Sequence, residues 1–323
     1  MTEKSVSLEN VTKQYGAFTA VNDLSFDVAR GEIFGFLGPN GAGKTTTLRM
    51  MLDIIQPSVG RISVLGSSSA IPVRQRIGYL PEERGLYRKM KAADSIAYFA
   101  QLRGLSRQDA KAKAMSLLKQ FGLEEFARSK NEALSKGMAQ KVQLLSTIAH
   151  EPELLILDEP FSGLDPINQQ TLEELIRDQR RAGRTIIFST HVMQHAERLC
   201  DRFIIIAHGS KRFEGTLAQA RSNFAKRVHI RTLAGAEALH GLGGVASLRV
   251  EDSIGGGGEI TYEIALDDGV DPQDYLKRAV AAGLTMTRYE QAGATLHDIF
   301  MALAGDEEAV ESAPVRPVME AAE

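Results

Sequence analysis

With 323 residues, 43% hydrophobic and 24% charged, the chain has an ordinary globular composition, long enough for one large core and a smaller second one. A net charge of -3 provides no overall positive field, so no nucleic-acid partner is expected. The single cysteine, Cys200, excludes an intramolecular disulfide framework and a cysteine-based zinc site, and such poverty fits a reducing compartment.

In chain order, Val6–Val11 and Leu24–Val28 alternate apolar and polar residues, which predicts half-buried antiparallel strands. Glu32–Leu37 runs apolar into the glycine-rich segment Gly38–Gly43, and Lys44–Asp53 continues with helical spacing. From Ala92 to Phe121 apolar residues recur at three and four positions, a helical insert within about 86–150, with Ser106 as N-cap of its second helix. Strand-like Leu154–Leu157, Thr185–Ser189 and Phe203–Ile206 then alternate with helical Asn168–Arg181 and His191–Leu199, implying a parallel sheet with crossover helices. Lys211–Glu214 would close a hairpin, ending a first domain of residues 1–222.

Residues 226–305 read as a small α+β domain. Its expected strands are Val228–Arg231, Ser247–Glu251, Ile260–Ala265 and Thr285–Glu290, and its helices Pro272–Ala282 and Leu296–Leu303. Gly255–Gly258 is read as a hairpin connection, not a phosphate loop, because no Lys-Ser/Thr follows it. The acidic, Ala/Pro-rich residues 306–323 are expected to be disordered. Met1–Asn10 lacks a basic-then-apolar signal pattern, and no window reaches the roughly eighteen uninterrupted apolar residues of a membrane span.

Gly38-Pro39-Asn40-Gly41-Ala42-Gly43-Lys44-Thr45 fits G-x-x-x-x-G-K-[ST] between an expected strand and helix, which points to a nucleoside triphosphate. Glycines let backbone N–H groups curl around the β-phosphate, and the helix N-terminus adds partial positive charge. Lys44 would reach the β- and γ-phosphates, Thr45 would ligate Mg²⁺, and Thr46 would add an α-phosphate contact. Leu154–Leu157 is an apolar run ending in Asp158 and Glu159, which places both carboxylates at the carboxyl end of a buried strand. Asp158 would hold Mg²⁺ through water, with Glu159 as general base. His191, beginning the next helix after Thr185–Ser189, could donate to the γ-phosphate or position the water. His195 lies four residues on, but the segment is not H-E-x-x-H, and the expectation is a helix-surface residue.

These segments occur in a fixed order: Gly38–Thr45, Leu134-Ser135-Lys136-Gly137-Met138, Leu154–Glu159, Ser162-Gly163-Leu164-Asp165 and His191. That order resembles the nucleotide-binding subunits of ABC transporters over roughly Ser5 to Arg221. Leu134–Met138 stands at the family's L-S-G-G-Q signature, Ser162–Asp165 at the D-loop, His191 at the switch histidine, and Tyr15 at the aromatic that stacks on adenine. In the signature, Lys136 and Met138 replace a glycine and a glutamine. Glu82, within Tyr79–Glu83, aligns with the family's Q-loop glutamine and its metal contact, with Glu83 as the alternative.

The resemblance implies an α/β P-loop (RecA-like) core with an antiparallel β subdomain, a helical subdomain and a small α+β C-terminal domain. It implies an ATPase using ATP and Mg²⁺, working as a head-to-tail pair in which Ser135 and Gly137 of one copy meet the nucleotide of the other. It further implies a separate polytopic permease gripped by the helical insert, and a cytoplasmic chain held at the inner face of the membrane through it. The signature departures and Leu296–Phe300 are similar to a bacterial exporter subgroup for sodium, drugs or antibiotics. The alternative is a soluble ABC-type ATPase without a permease, against which stand one nucleotide unit, one cysteine and the short stretch from Thr45 to Leu134.

Overall fold

The computed structural model describes residues 3–83, 85–222, 224–252 and 259–304. The chain separates after Thr216 into two compact units. Gly255–Gly258 and the expected tail at 306–323 lie outside the described residues.

In the first unit, β1 (Lys4–Tyr15) and β2 (Phe18–Ala29) form a long antiparallel hairpin. Next come β3 (Ile33–Leu37), α1 (Lys44–Met51) and β4 (Val59–Val64). β4 pairs with the free edge of β1, giving a three-stranded sheet in the order β2-β1-β4. β5 (Ile77–Leu80) is followed by three helices packed on one another: α2 (Ala92–Leu102), α3 (Arg107–Gln120) and α4 (Lys136–Ile148). Ser106 caps α3 by accepting the Asp109 N–H at 3.1 Å. The remainder alternates: β6 (Leu154–Leu157), α5 (Pro166–Arg181), β7 (Thr185–Thr190), α6 (Met193–Leu199), β8 (Arg202–Ala207) and β9 (Ser210–Gly215).

These strands build a six-stranded sheet ordered β5-β6-β7-β3-β8-β9, parallel except for β9, which turns back on β8 as a hairpin. The order sets the carboxyl ends of β6, β7 and β3 side by side, although they lie far apart in sequence. Phe34, Phe36, Ile156, Ile187, Ile204 and Ile206 bury one face of this sheet against Leu48 and Met51 of α1 and the apolar face of β1 and β2. At that seam Phe26 stacks on Phe34, ring centroids 5.5 Å apart. Cys200 ends α6 half-buried, its sulfur against β3: a Cβ on Gly35 would stand 2.6 Å from it.

Two strands, β4 and β5, are not visible in the apolar pattern. β4 is exposed over its first half and contains Gly60, and β5 is only four residues long. His191 does not begin α6. Val192 is the N-cap, so His191 sits in the turn between β7 and the helix.

The second unit comprises α7 (Leu217–Ser222), β10 (Arg227–Thr232), α8 (Ala236–His240), β11 (Val245–Asp252), β12 (Ile260–Leu266), α9 (Pro272–Ala281), β13 (Met286–Ala292) and α10 (Leu296–Ala304). Its strands pair antiparallel in the order β11-β12-β10-β13. From β10 to β13 the elements run β-α-β-β-α-β, the ferredoxin-like arrangement. Val228, Ile230, Leu239, Tyr262, Ile264 and Tyr275 form its core, and the Tyr275 hydroxyl donates to the Leu239 carbonyl at 3.0 Å. No helix among the described residues is long and apolar enough to cross a membrane.

Candidate functional site

β3 delivers the chain into Gly38–Gly43, and α1 begins at Lys44. Gly43 has φ +98°, and a Cβ there would stand 2.5 Å from the Ala20 carbonyl oxygen, so only glycine fits where the loop enters the helix. Pro39, Asn40, Gly41, Gly43, Lys44, Thr45 and Thr46 line a cavity of about 350 Å³, closed by Phe18, Glu82 and Glu159. Gly38 and Ala42 stand behind it. The Gly38 carbonyl accepts from Lys44 Nζ at 2.7 Å, and the Ala42 side chain packs into the core. Lys44 is buried, and its ammonium also donates to the Pro39 carbonyl at 3.1 Å.

Beyond the cavity stand the carboxylates from β6. Asp158 is buried, and its Oδ1 accepts from Ser189 Oγ at 2.6 Å, while Oδ2 is buried with no hydrogen-bond partner. Glu159 is buried too, with φ +47°, an unusual backbone state for a residue with a side chain. One of its carboxylate oxygens lies 3.4 Å from Lys44 Nζ, and the other 3.0 Å from His191 Nδ1. Its backbone N–H donates to Ser189 Oγ at 2.9 Å. β6, β7 and the P-loop thus converge on one carboxylate. An orphaned carboxylate oxygen on Asp158, with a threonine hydroxyl and the acidic Glu82 nearby, is a donor set that suits a hard divalent cation such as Mg²⁺.

A second cavity of about 350 Å³ shares Glu82 and Glu159 with the first and adds Glu83, Lys136, Asp158 and Ser162. Glu82 therefore borders both cavities. Glu83 borders only the second, and its carbonyl accepts from Gln143 Nε2 at 3.2 Å.

The remaining sequence-derived residues lie elsewhere. Ser135 caps α4, accepting the Met138 N–H at 3.3 Å, and is exposed. Gly137 lies under Asn168, whose Nδ2 would be 2.9 Å from a Cβ on that glycine. The same Nδ2 donates to Asp165 Oδ2 at 2.6 Å, and Asp165 Oδ1 caps α5 through the Asn168 N–H at 2.9 Å. These bonds, the backbone one first, hold the Asp165 carboxyl below its ordinary range. None of Ser135, Gly137 and Asp165 lines the P-loop cavity of its own chain. Tyr15 is exposed at the hairpin tip, paired in register with Phe18, and of the two only Phe18 lines that cavity.

Sequence reasoning missed Phe18, Ser189, Asn168 and the pair Phe161–His195. His195 is not a surface residue. It is buried, its ring stacks on Phe161 with centroids 3.9 Å apart, and its Nδ1 lies 3.3 Å from Glu173 Oε1. Burial holds its imidazole below the ordinary value despite that carboxylate. A polar residue closing an otherwise apolar strand, as Ser189 does, is the one signal that pointed this way.

A glycine-rich strand-to-helix turn, with acidic residues at the end of a neighbouring parallel strand, defines a P-loop nucleotide hydrolase. Residues 21–162 match the ABC transporter family, and residues 215–304 match the C-terminal domain of the DrrA1-3-like ATP-binding proteins. The uncharacterized ABC transporter ATP-binding protein YhaQ of Bacillus subtilis is 42% identical over 222 residues, covering 69% of this chain and 74% of that protein. The Nod factor export ATP-binding protein I of Burkholderia orbicola is 36% identical over 312 residues, covering 95% and 99%. A solved ATP-binding subunit of an ABC transporter superposes with a TM-score of 0.63 at 35% identity, covering 67% of this chain and 92% of that one. The chain belongs to the ATP-binding subunits of ABC transporters, a family of ATPases, and carries a DrrA-like C-terminal domain.

Proposed function

We propose that the chain hydrolyses ATP as one half of a head-to-tail pair and drives export through a separate polytopic membrane subunit. The observation that carries this is Glu159: a buried carboxylate at the end of β6, held between Lys44 at 3.4 Å and His191 at 3.0 Å. So placed, Glu159 takes the proton of an attacking water, with His191 orienting the carboxylate or donating to the terminal phosphate. Lys44 exchanges the Gly38 and Pro39 carbonyls for phosphate oxygens. Mg²⁺, held by Thr45, Asp158 and Glu82, would supply Lewis-acid neutralisation of phosphate charge. Tyr15 stacks on adenine, while Pro39–Thr46 wrap the phosphates.

Ser135, Gly137 and Asp165 complete the site from the second copy, a reading supported by their absence from the P-loop cavity of their own chain. The hydroxyl and free N–H groups at the start of α4 then reach a γ-phosphate only when two copies close on ATP. Export is supported by the similarity to the Nod factor export ATP-binding protein of Burkholderia orbicola and by the DrrA-like domain. The chain would sit at the inner face of the membrane through its permease, with α2 and α3 as the gripping surface.

The test is tagged Glu159→Gln, expressed in its native cells with ATP, solubilised in mild detergent and captured. The expected result is an ATP-trapped dimer accompanied by a polytopic membrane protein in near-equal amount. Soluble partners alone would leave the ATPase standing and remove the transporter.

A further inference from the structure

The second unit carries a row of titratable side chains on the face of its sheet turned away from the core. In β10, His229 alternates with buried Val228 and Ile230, and in β12, Glu263 alternates with buried Tyr262 and Ile264. Both side chains therefore leave the sheet on the opposite face. Register sets them side by side, because His229 and Glu263 are direct partners. The third member comes from the edge strand β11, whose register against β12 slips between Val250 and Asp252, a bulge with Glu251 as the extra residue. β11 and β10 are two strands apart, about 9–10 Å between backbones, yet His229 Nδ1 lies 2.8 Å from Glu251 Oε2. An ordinary cross-strand pair would join His229 to its neighbour Glu263. Instead the imidazole reaches past it, and one ligand atom from each of His229, Glu251 and Glu263 lies within 4.8 Å of the others, a convergence across three strands. Arg227 Nη1 stands 3.0 Å from Glu263 Oε1, which fixes that carboxylate while engaging one of its two oxygens. Glu290, the partner of His229 on β13, is engaged by Arg288 Nε at 3.1 Å and lies outside the group.

We propose that His229, Glu251 and Glu263 bind a divalent transition-metal ion of the zinc class, and that the ion ties the edge strand β11 to the middle of the sheet. One imidazole nitrogen and two carboxylates, with a fourth position open to water, make a zinc donor set. The nitrogen ligand disfavours the hard cations Mg²⁺ and Ca²⁺. Ligands at about 2.0–2.2 Å from a tetrahedral ion stand about 3.3–3.6 Å apart. The exposed arm of Glu251 supplies that contraction by rotating about its own side-chain bonds. The site is separate from the nucleotide chemistry of the first unit and does not depend on the paired-ATPase reading.

The experiment uses the full chain with any affinity tag removed, stripped of metal and free of nucleotide, and titrates it with Zn²⁺ by calorimetry in excess Mg²⁺. The expected result is saturable uptake of one ion per chain. Affinity should fall by more than about tenfold in His229→Gln and in Glu251→Gln, since a direct ligand counts for more than a supporting partner. His240→Gln, at an exposed histidine of the same unit, should bind as the parent does. Glu251 is exposed on an edge strand, so its variant keeps the test open should the His229 variant fold poorly. Amide exchange of Val245–Asp252 should slow when Zn²⁺ is added to the parent and stay unchanged in Glu251→Gln, which reads the clamp itself. Absence of saturable uptake by the parent would overturn the proposal, as would parental affinity in either ligand variant or an equal loss in His240→Gln. Uptake that leaves exchange in β11 unaltered would overturn the clamp.

Discussion

Ser189 Oγ donates to Asp158 Oδ1 at 2.6 Å while accepting the backbone N–H of Glu159 at 2.9 Å, so one buried hydroxyl near the end of β7 orients both acidic residues that follow β6. Ser189→Ala leaves Asp158 with neither oxygen hydrogen-bonded. The expected cost is about 1–3 kcal/mol of stability in denaturant unfolding. The Mg²⁺ concentration needed for half-maximal ATPase should rise at least about tenfold, as for other second-layer ligand partners. An unchanged Mg²⁺ requirement would remove Asp158 from the metal.

Asp165 separates structure from function because it caps α5 and, in the proposed pair, would also face a second copy. Asp165→Asn keeps an oxygen for the Asn168 N–H, so its melting temperature should stay close to wild type. Asp165→Ala should lose about 1 kcal/mol of stability. If the carboxylate acts across the dimer, both variants lose ATPase. If it acts only as a cap, the asparagine variant retains it.

The hairpin tip offers two aromatic residues. Tyr15→Ala is expected to raise the KM for ATP by about fivefold to tenfold with little change in kcat, corresponding to about 1–1.5 kcal/mol of stacking. Phe18→Ala is the control that decides between them, since Phe18 lines the cavity and Tyr15 does not. A larger KM effect at Phe18 would transfer the adenine contact to it.

Acid should loosen the first unit through His150. Burial first, then the charges of Arg103 and Arg184, hold its imidazole down at about 4, although Nε2 faces the Ile77 carbonyl at 3.1 Å. The unfolded chain takes up a proton below about pH 6.5 and the folded chain only near pH 4, so stability falls as pH drops through that window. The loss from this group should reach about 2 kcal/mol at pH 5 and approach its limit just below pH 4. Denaturant unfolding of His150→Gln between pH 7 and pH 4.5 should show a flatter profile. An equal slope in both proteins would assign the acid sensitivity elsewhere.

Local patterns account for what the sequence made legible. The P-loop needs its glycines and lysine at fixed spacing, and Asp158 and Glu159 announce themselves by ending an apolar run. Pairing between distant segments hides the rest. Ser189 matters because β6 lies against β7, with Ile156 beside Ile187. His195 looks like a surface residue until Phe161 and Glu173 are brought over it. Phe18 and Tyr15 are equivalent aromatics in the sequence, and only the folded hairpin turns one toward the phosphate cavity. In the second unit, periodicity finds the strands but cannot order them, because β12 inserts between β10 and β11.

The seam between Cys200 and Gly35 makes the untouched protein its own stopwatch. Burial, with the Asp201 and Glu32 carboxylates nearby, pushes the thiol well above its ordinary value, and the sulfur faces the strand that feeds the P-loop. A maleimide gains full access to this half-buried sulfur when α6 lifts from β3. The rate at which the wild-type chain takes up one label therefore times the breathing of the nucleotide-bearing strand, and saturating ATP should slow it without any engineered reporter.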